Sequence, residues 1–102
     1  LDARLVVVPD ERGEVHAFSR SGASLWRQDK LRGRTLAAPL LLPRFITLGD
    51  GTGLVHVLER DGGAIAGRVP TDGSAIVSAP VAAAGLAVVQ TTAGALYALR
   101  IE

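Results

Sequence analysis

Cysteine is absent from the 102 residues, which excludes disulfides, thiolate nucleophiles and cysteine-ligated metals. That absence identifies no compartment, because secreted and cytosolic chains can both lack cysteine. A strong charge of either sign is missing too. Eleven basic against ten acidic residues leave a formal charge of +1, too little for the nonspecific attraction on which nucleic-acid binding draws. No apolar run approaches the roughly twenty residues of a membrane helix. Leu1 carries neither an initiator methionine nor a signal peptide behind it, so the natural chain is expected to begin further upstream. Sustained helical periodicity is the last absence. What remains, 48% hydrophobic and 21% charged residues, describes a folded chain.

Short apolar runs separated by Gly, Asp, Ser and Pro fill the sequence, at the spacing of strands and turns. Ten strands are expected: Leu5 to Val8, Val15 to Phe18, Ser24 to Arg27, Ala38 to Leu42, Phe45 to Leu48, Leu54 to Glu59, Ile65 to Val69, Ser78 to Ala82, Leu86 to Gln90 and Ala95 to Arg100. The chain also repeats itself. GEVHAFSRSGA from Gly13 returns as GLVHVLERDGG from Gly53 and, more loosely, as GALYALRIE from Gly94. Gly13, Gly53 and Gly94 fall in register, as do Val15, Val55 and Leu96, then His16, His56 and Tyr97, while Pro39 and Pro80 mark a second recurring point. Each unit is about forty residues and four strands.

In the third strand of a unit both alternating faces are apolar: Val55 and Val57 point one way, Leu54 and Leu58 the other. A strand buried on both sides belongs in a sheet sandwiched between neighbours. Four-stranded sheets stacked about an axis with a period near forty are the blades of an all-β propeller, whereas a flat β-sandwich would more often be polar on one face. If blades run from the inner strand outward, residues 1–37 form an incomplete blade and connection, 38–77 a complete blade and connection, and 78–102 an incomplete terminal blade. About two and a half blades are then present. Such a piece exposes blade faces and unpaired edges, so it is expected to be part of a larger chain or to self-associate.

The histidines, aspartates and arginines carry the candidate chemistry. A metal held by His16 and His56 together would need both nitrogens about 2 Å from one ion, but packed sheets lie about 10 Å apart. Tyr97 in the third copy points instead to a structural slot for a ring with an apolar body and a polar tip. Asp10, Asp50, Asp61 and Asp72 adjoin glycine or turn-like runs, where carboxylates bond nearby amides, and this reading outweighs catalysis or calcium binding. GDGTG from Gly49 joins two strands rather than a strand and a helix, so it does not cradle a phosphate. RQDKLRGR from Arg27 to Arg34 is the one charge concentration. Antiparallel neighbours put this connection on the same face as PDERGE, GDGTG and QTTAG, and Arg32, Arg34 and Asp50 are the candidate partner contacts on that face. A solvated connection is the plainer alternative.

The repeat resembles the quinoprotein-type, or PQQ-like, propeller repeat, on APLLL from Ala38, ITLGDGTGLVHVLERDGGAI from Ile46 and SAPVAAAGLAVVQTTAGALYALR from Ser78. In AFSRSGASLW the resemblance implies that Trp26 docks against the adjacent blade, a structural role; the second copy carries Ala66 at that position by spacing. Among such propellers the chain is similar to the C-terminal part of the outer-membrane assembly lipoproteins of Gram-negative bacteria, on LWRQDKLRGRTLAAPLL from Leu25, GDGTGLVHVLERDGGAIAGRVPTDGS from Gly49 and the ending GALYALRIE. That resemblance implies an eight-bladed propeller, no catalysis and no cofactor. It further implies a scaffold at the periplasmic face of the outer membrane that binds the barrel-forming subunit of the assembly machinery and nascent outer-membrane proteins. Membrane attachment would come only from an upstream lipid anchor. Two other readings stay open: part of a PQQ-dependent dehydrogenase, whose cysteine pair and cofactor ligands do not occur here, and a propeller sensor domain. Fold alone does not separate the three.

Overall fold

The computed structural model describes residues 5–100. They form ten strands and, among the described residues, no helix: β1 (Leu5–Pro9), β2 (Val15–Ser19), β3 (Ser24–Gln28), β4 (Leu40–Leu41), β5 (Phe45–Gly49), β6 (Leu54–Glu59), β7 (Ile65–Pro70), β8 (Val81–Ala83), β9 (Leu86–Gln90) and β10 (Leu96–Leu99). These make three antiparallel meanders, β1-β2-β3, β4-β5-β6-β7 and β8-β9-β10.

Eight of the expected strands agree with these bounds to within a residue at each end. The exceptions are β4 and β8, which are shorter than expected and start after Pro39 and Pro80 rather than before them. Proline has no N–H to give a ladder, so each inner strand can begin only beyond it. The tight turns have their own requirement. Gly13 and Gly53 sit at φ of 90° and 85°, and a Cβ at either would lie within 3 Å of a carbonyl oxygen of the connection packed against it. At these two copies the glycine is therefore fixed both by backbone conformation and by close approach, while Gly94, at φ of 93°, keeps only the first requirement.

Burial follows the layer order. The first core cluster, Val15, Leu31, Ile46, Leu48 and Leu58, is shared between the first and second sheets, with Leu5, Val7 and Trp26 packed on it. A second, Ala37, Val55, Ile76 and Val89, joins the second sheet to the third, with Val69, Tyr97 and Leu99 against it. The middle sheet thus buries both faces. On β6 the alternation sends Leu58 to one core and Val55 to the other. The first sheet buries only the face carrying Val7, Val15 and Ala17; Val6 and Val8 on its other face stay 47% and 44% exposed.

Candidate functional site: the turn and connection face

One end of the three sheets gathers the turns β1–β2, β5–β6 and β9–β10 together with the two long connections between sheets. Backbone hydrogen bonds fasten them to one another. Gly33 N–H donates to Arg12 O at 2.8 Å, Gly51 N–H to Thr35 O at 2.9 Å, Thr71 N–H to Gly53 O at 3.1 Å and Thr92 N–H to Ala75 O at 2.9 Å. Each connection is therefore held by the turn on either side of it.

Within the turns the aspartates act as turn residues and as partners of the histidines. Asp10 Oδ1 accepts from the amides of Arg12 and Glu14 at 2.9 and 3.0 Å, while Oδ2 meets His16 Nε2 at 2.9 Å. Asp50 repeats the arrangement: Oδ1 accepts from Thr52 N, Thr52 Oγ1 and Leu54 N, and Oδ2 meets His56 Nε2 at 2.7 Å and Arg34 Nη1 at 3.0 Å. In the third sheet Thr91 stands at the aspartate position, its hydroxyl accepting from Ala95 N and donating to Asp72 Oδ2 at 2.9 Å. Tyr97, half-buried against the second core, takes the histidine position. Sequence reading placed the aspartates in turns and the histidines in ring slots but did not join them. The available signal was an aspartate six residues ahead of a histidine, twice.

Burial separates the two copies. His16 and Asp10 keep side-chain exposures of 28% and 33%, whereas His56 and Asp50 are both at 0%. Burial lowers the pKa of His56, against the hydrogen bond and charge of Asp50, and the charges of Arg34 and Arg68 lower it further. Its Nδ1 has no partner, so a proton there would be charged and unsatisfied inside the protein. Burial alone would raise the Asp50 carboxyl; hydrogen bonds from His56, Thr52 and Leu54 outweigh it and hold the group below the usual carboxylate range.

Arg34 is thereby turned inward, and Asp50 is enclosed beneath the face instead of standing on it. A fully buried carboxylate already accepting five hydrogen bonds cannot also touch a partner, so Asp50 supports the face from below. Arg32 differs. It is 63% exposed and lies only 3.5 Å from Glu14 Oε2. Between connection and turn runs an open cleft of about 480 Å³ lined by Arg32, Gly33, Arg34, Thr35, Gly51 and Thr52.

Asp10, Glu14 and His16 bring three potential ligand atoms within 4.8 Å of one another. The guanidiniums of Arg27 and Arg32 lie within 4 Å of Glu14, and their charge opposes a cation there; the group is an ion-pair network. His16 and His56 each engage their own aspartate in different sheets.

Trp26, on the flank of the sheets, donates from Nε1 to Arg60 O at 3.0 Å, and its ring lies where a Cβ on Gly63 would be, 2.3 Å away. Beside it Gln28 Nε2 donates to Gly63 O at 2.7 Å. The first sheet is thus docked on the second through an indole resting on bare backbone. Register moves the equivalent position in the second sheet. Trp26 pairs with Ala17 and Gly67 pairs with Val57, so Gly67, not Ala66, occupies the tryptophan's place. The hairpin between β6 and β7 is one residue longer than that between β2 and β3, which shifts the count.

No family model matches the chain. Relatives do. The outer membrane protein assembly factor BamB of Burkholderia pseudomallei is 45% identical over 100 residues, which is 97% of this chain and 26% of the relative. The chain is a homologue of part of BamB. The BamB of Bordetella pertussis is 39% identical over 98% of this chain and 26% of its own length. The crystal structure of BamB from Moraxella catarrhalis superposes with a TM-score of 0.88 at 27% identity, covering 100% of this chain and 31% of that one. The chain spans about a quarter of the length of the curated BamB relatives it matches, a share that fits the expected C-terminal part. Its three sheets are propeller blades, and the chain is a fragment of a larger propeller.

Proposed function

We propose that this chain is part of a noncatalytic scaffold for outer-membrane protein assembly, held at the periplasmic face of the outer membrane by a lipid anchor elsewhere in the complete protein. Its blades comprise residues 1–37, 38–77 and 78–102 with their connections, within an eight-bladed ring. The observation that carries this reading is the 45% identity, spread over 97% of the chain, to a protein named as an outer membrane protein assembly factor. The partner is the barrel-forming subunit of the assembly machinery, BamA, and nascent outer-membrane proteins are further candidates.

The turn and connection face supplies the contact surface. Its most charged segment is laced to the turns on both sides, so little order has to be imposed when a partner binds. Arg32 is the outward carboxylate contact, with Arg34 and Asp50 fixing the segment that carries it. In isolation the fragment self-associates, because Val6 and Val8 on one outer sheet and Val81 and Leu96 on another are exposed apolar side chains.

The test is binding of the complete protein to the periplasmic domains of BamA. Arg32→Glu should weaken that binding by roughly tenfold, chiefly in the association rate and its salt dependence. A folded complete protein that does not bind sinks the scaffold reading and brings the dehydrogenase and sensor readings forward.

A further inference from the structure

The sequence holds three Asp–Gly pairs, beginning at Asp50, Asp61 and Asp72, and the fold gives them unequal surroundings. An aspartate followed by glycine is open to a reaction that needs no enzyme: the glycine amide nitrogen attacks the side-chain carboxyl, and the resulting ring reopens by hydrolysis. Its rate depends on how free the two groups are. At Asp50 neither is free. The carboxylate is fully buried and accepts five hydrogen bonds, and Gly51 N–H donates to Thr35 O at 2.9 Å. At Asp72 the carboxylate is held: Oδ1 accepts from Ser74 N and Oγ at 2.9 and 2.6 Å, and Oδ2 from Thr91 Oγ1 at 2.9 Å. Burial raises the Asp50 carboxyl but hydrogen bonds from His56 and Thr52 hold it low, and bonds from Ser74 hold Asp72 low. The protonated form, which can lose water, is therefore scarce at both. Asp61 and Gly62 are exposed at the tip of the hairpin between β6 and β7. Among the described residues the Asp61 carboxylate accepts no hydrogen bond and Gly62 N–H donates none.

We propose that Asp61–Gly62 is the site at which this chain undergoes aspartate isomerisation, and that the product loosens the joint between the first two blades. Gly62 N forms a bond to Asp61 Cγ, and the carboxyl hydroxyl leaves as water with the amide proton. The succinimide then takes up a water. Where the bond from nitrogen to the main-chain carbonyl breaks, the chain runs on through Cβ and Cγ, and Cα keeps the free carboxylate. The water lost equals the water regained, so the step needs no oxidant, reductant or co-reactant. The backbone is now one carbon longer. That carbon falls between the two points at which the loop carries Trp26: Arg60 O, which accepts from the indole Nε1 at 3.0 Å, and Gly63, on which the ring rests. The loop has little slack to absorb it, because Gly63 N–H donates to Glu59 O and Glu59 N–H to Ala64 O, each at 2.8 Å, across the turn.

The first sheet shows that such a tip stays open with a blade on either flank. Its equivalent hairpin, Arg20 to Gly22, is exposed although the second sheet packs beside it, and the second tip is exposed although the first sheet is seated on it through Trp26. Exposure follows from the place of the tip at the end of a blade. The first tip has serine where the second has Asp61, so only the second can react. The site goes beyond the assembly reading and does not depend on it.

Storage of the complete protein in warm neutral buffer tests the proposal, with peptide mapping by electron-transfer fragmentation to tell isoaspartate from aspartate. Isoaspartate should accumulate at Asp61 about tenfold or more faster than at Asp50 or Asp72, since freeing a carboxylate from a single charge-assisted hydrogen bond already reduces the reactive fraction by about that factor. Gly62→Ala should suppress the product by shielding the nitrogen and should leave the fold intact, because its Cβ meets nothing within 4 Å and the backbone φ there is not positive. If that variant does not fold, Asp61→Glu carries the test, since its longer side chain must close a larger and slower ring. On storage the urea midpoint of the unaltered protein should fall while that of the suppressed variant holds. Isomerisation at Asp50 or Asp72 as fast as at Asp61, no isoaspartate at Asp61, or a rate that neither substitution changes would overturn the site. Extensive conversion at Asp61 with an unchanged midpoint would overturn its effect on the joint.

Discussion

Replacing Asp50 by alanine, beside the same replacement at Asp10, tests whether burial or turn chemistry dominates the repeated aspartate–histidine pair. Both aspartates cap a turn through Oδ1 and meet a histidine through Oδ2, so a purely local account expects equal losses. The surroundings differ. Asp50→Ala removes the acceptor of His56 Nε2–H in a side chain that is fully buried and whose Nδ1 already has no partner. One buried polar group left unsatisfied costs about 1–3 kcal/mol, and breaking a buried charged pair from one side about 3–5 kcal/mol. Arg34, at 30% exposure, can turn to water, which keeps the expected loss near the lower bound for the pair, about 3 kcal/mol. After Asp10→Ala, His16 is 28% exposed and water replaces the lost acceptor, so the loss should be clearly smaller. Urea unfolding of the complete protein followed by far-UV circular dichroism measures both. Equal shifts in midpoint, or a loss below about 1 kcal/mol for Asp50→Ala, would refute the assignment of the cost to burial.

Acidification should expose the same pair. His56 has a folded pKa lowered by burial, so below the ordinary histidine value of about 6.5 the unfolded state takes the proton first, and stability should fall by up to about 1.4 kcal/mol per pH unit until the folded value is reached. His56→Gln should flatten that slope, and an unchanged slope would place the titrating group elsewhere. The contribution of Asp50, whose carboxyl is held low, should be fully present above its ordinary value of about 3.9 and be lost progressively as pH falls from there through the lower folded one. Trp26→Ala should cost about 3 kcal/mol in unfolding free energy through lost packing on Gly63 and the lost bond to Arg60 O, and a loss under about 1 kcal/mol would remove the docking role. Gly63→Ala should destabilise too, since its Cβ would fall 2.3 Å from the Trp26 ring; a neutral result would mean that the indole can swing away without loss.

The strands were legible because two-sided apolar alternation leaves a four-to-six-residue segment few other places to go, and β6 shows it most clearly with Val55 and Leu58 in separate cores. Proline misled the bounds of β4 and β8, since an apolar run reads through a residue that a hydrogen-bond ladder does not. Counting by forties misplaced the tryptophan's counterpart because both hairpins carry the same bulge but the second is a residue longer beyond it, Leu58 pairing with Ile65 where Phe18 pairs with Ser24. The aspartate–histidine pairs were visible as letters but not as contacts. Asp50 is followed by a glycine-rich turn that a linear reading takes as sufficient reason for it, and nothing in the sequence says that the ladder Leu48 to His56 brings the ring back over the carboxylate.

The third sheet explains why a carboxylate recurs at this face even where the aspartate–histidine pair is lost. With Thr91 and Tyr97 in those positions, the acid moves to the connection: Asp72 accepts from Ser74 N and Oγ with one oxygen and from Thr91 Oγ1 with the other. At the first seam Glu14 faces Arg32 and Asp50 faces Arg34 from the turns on either side of the first connection, and at the second seam Asp72 of the second connection faces Thr91. Each carboxylate ties a turn to a connection, across the seam between neighbouring blades. Apolar burial can hold blade faces together but is indifferent to small sliding, whereas hydrogen bonds of about 3 Å fix where one blade's turn meets the next connection. A scaffold that presents loops from several blades to one partner needs that registry more than it needs any single strong contact. The repeated acid is accordingly better explained by alignment of the blades than by a repeated reaction.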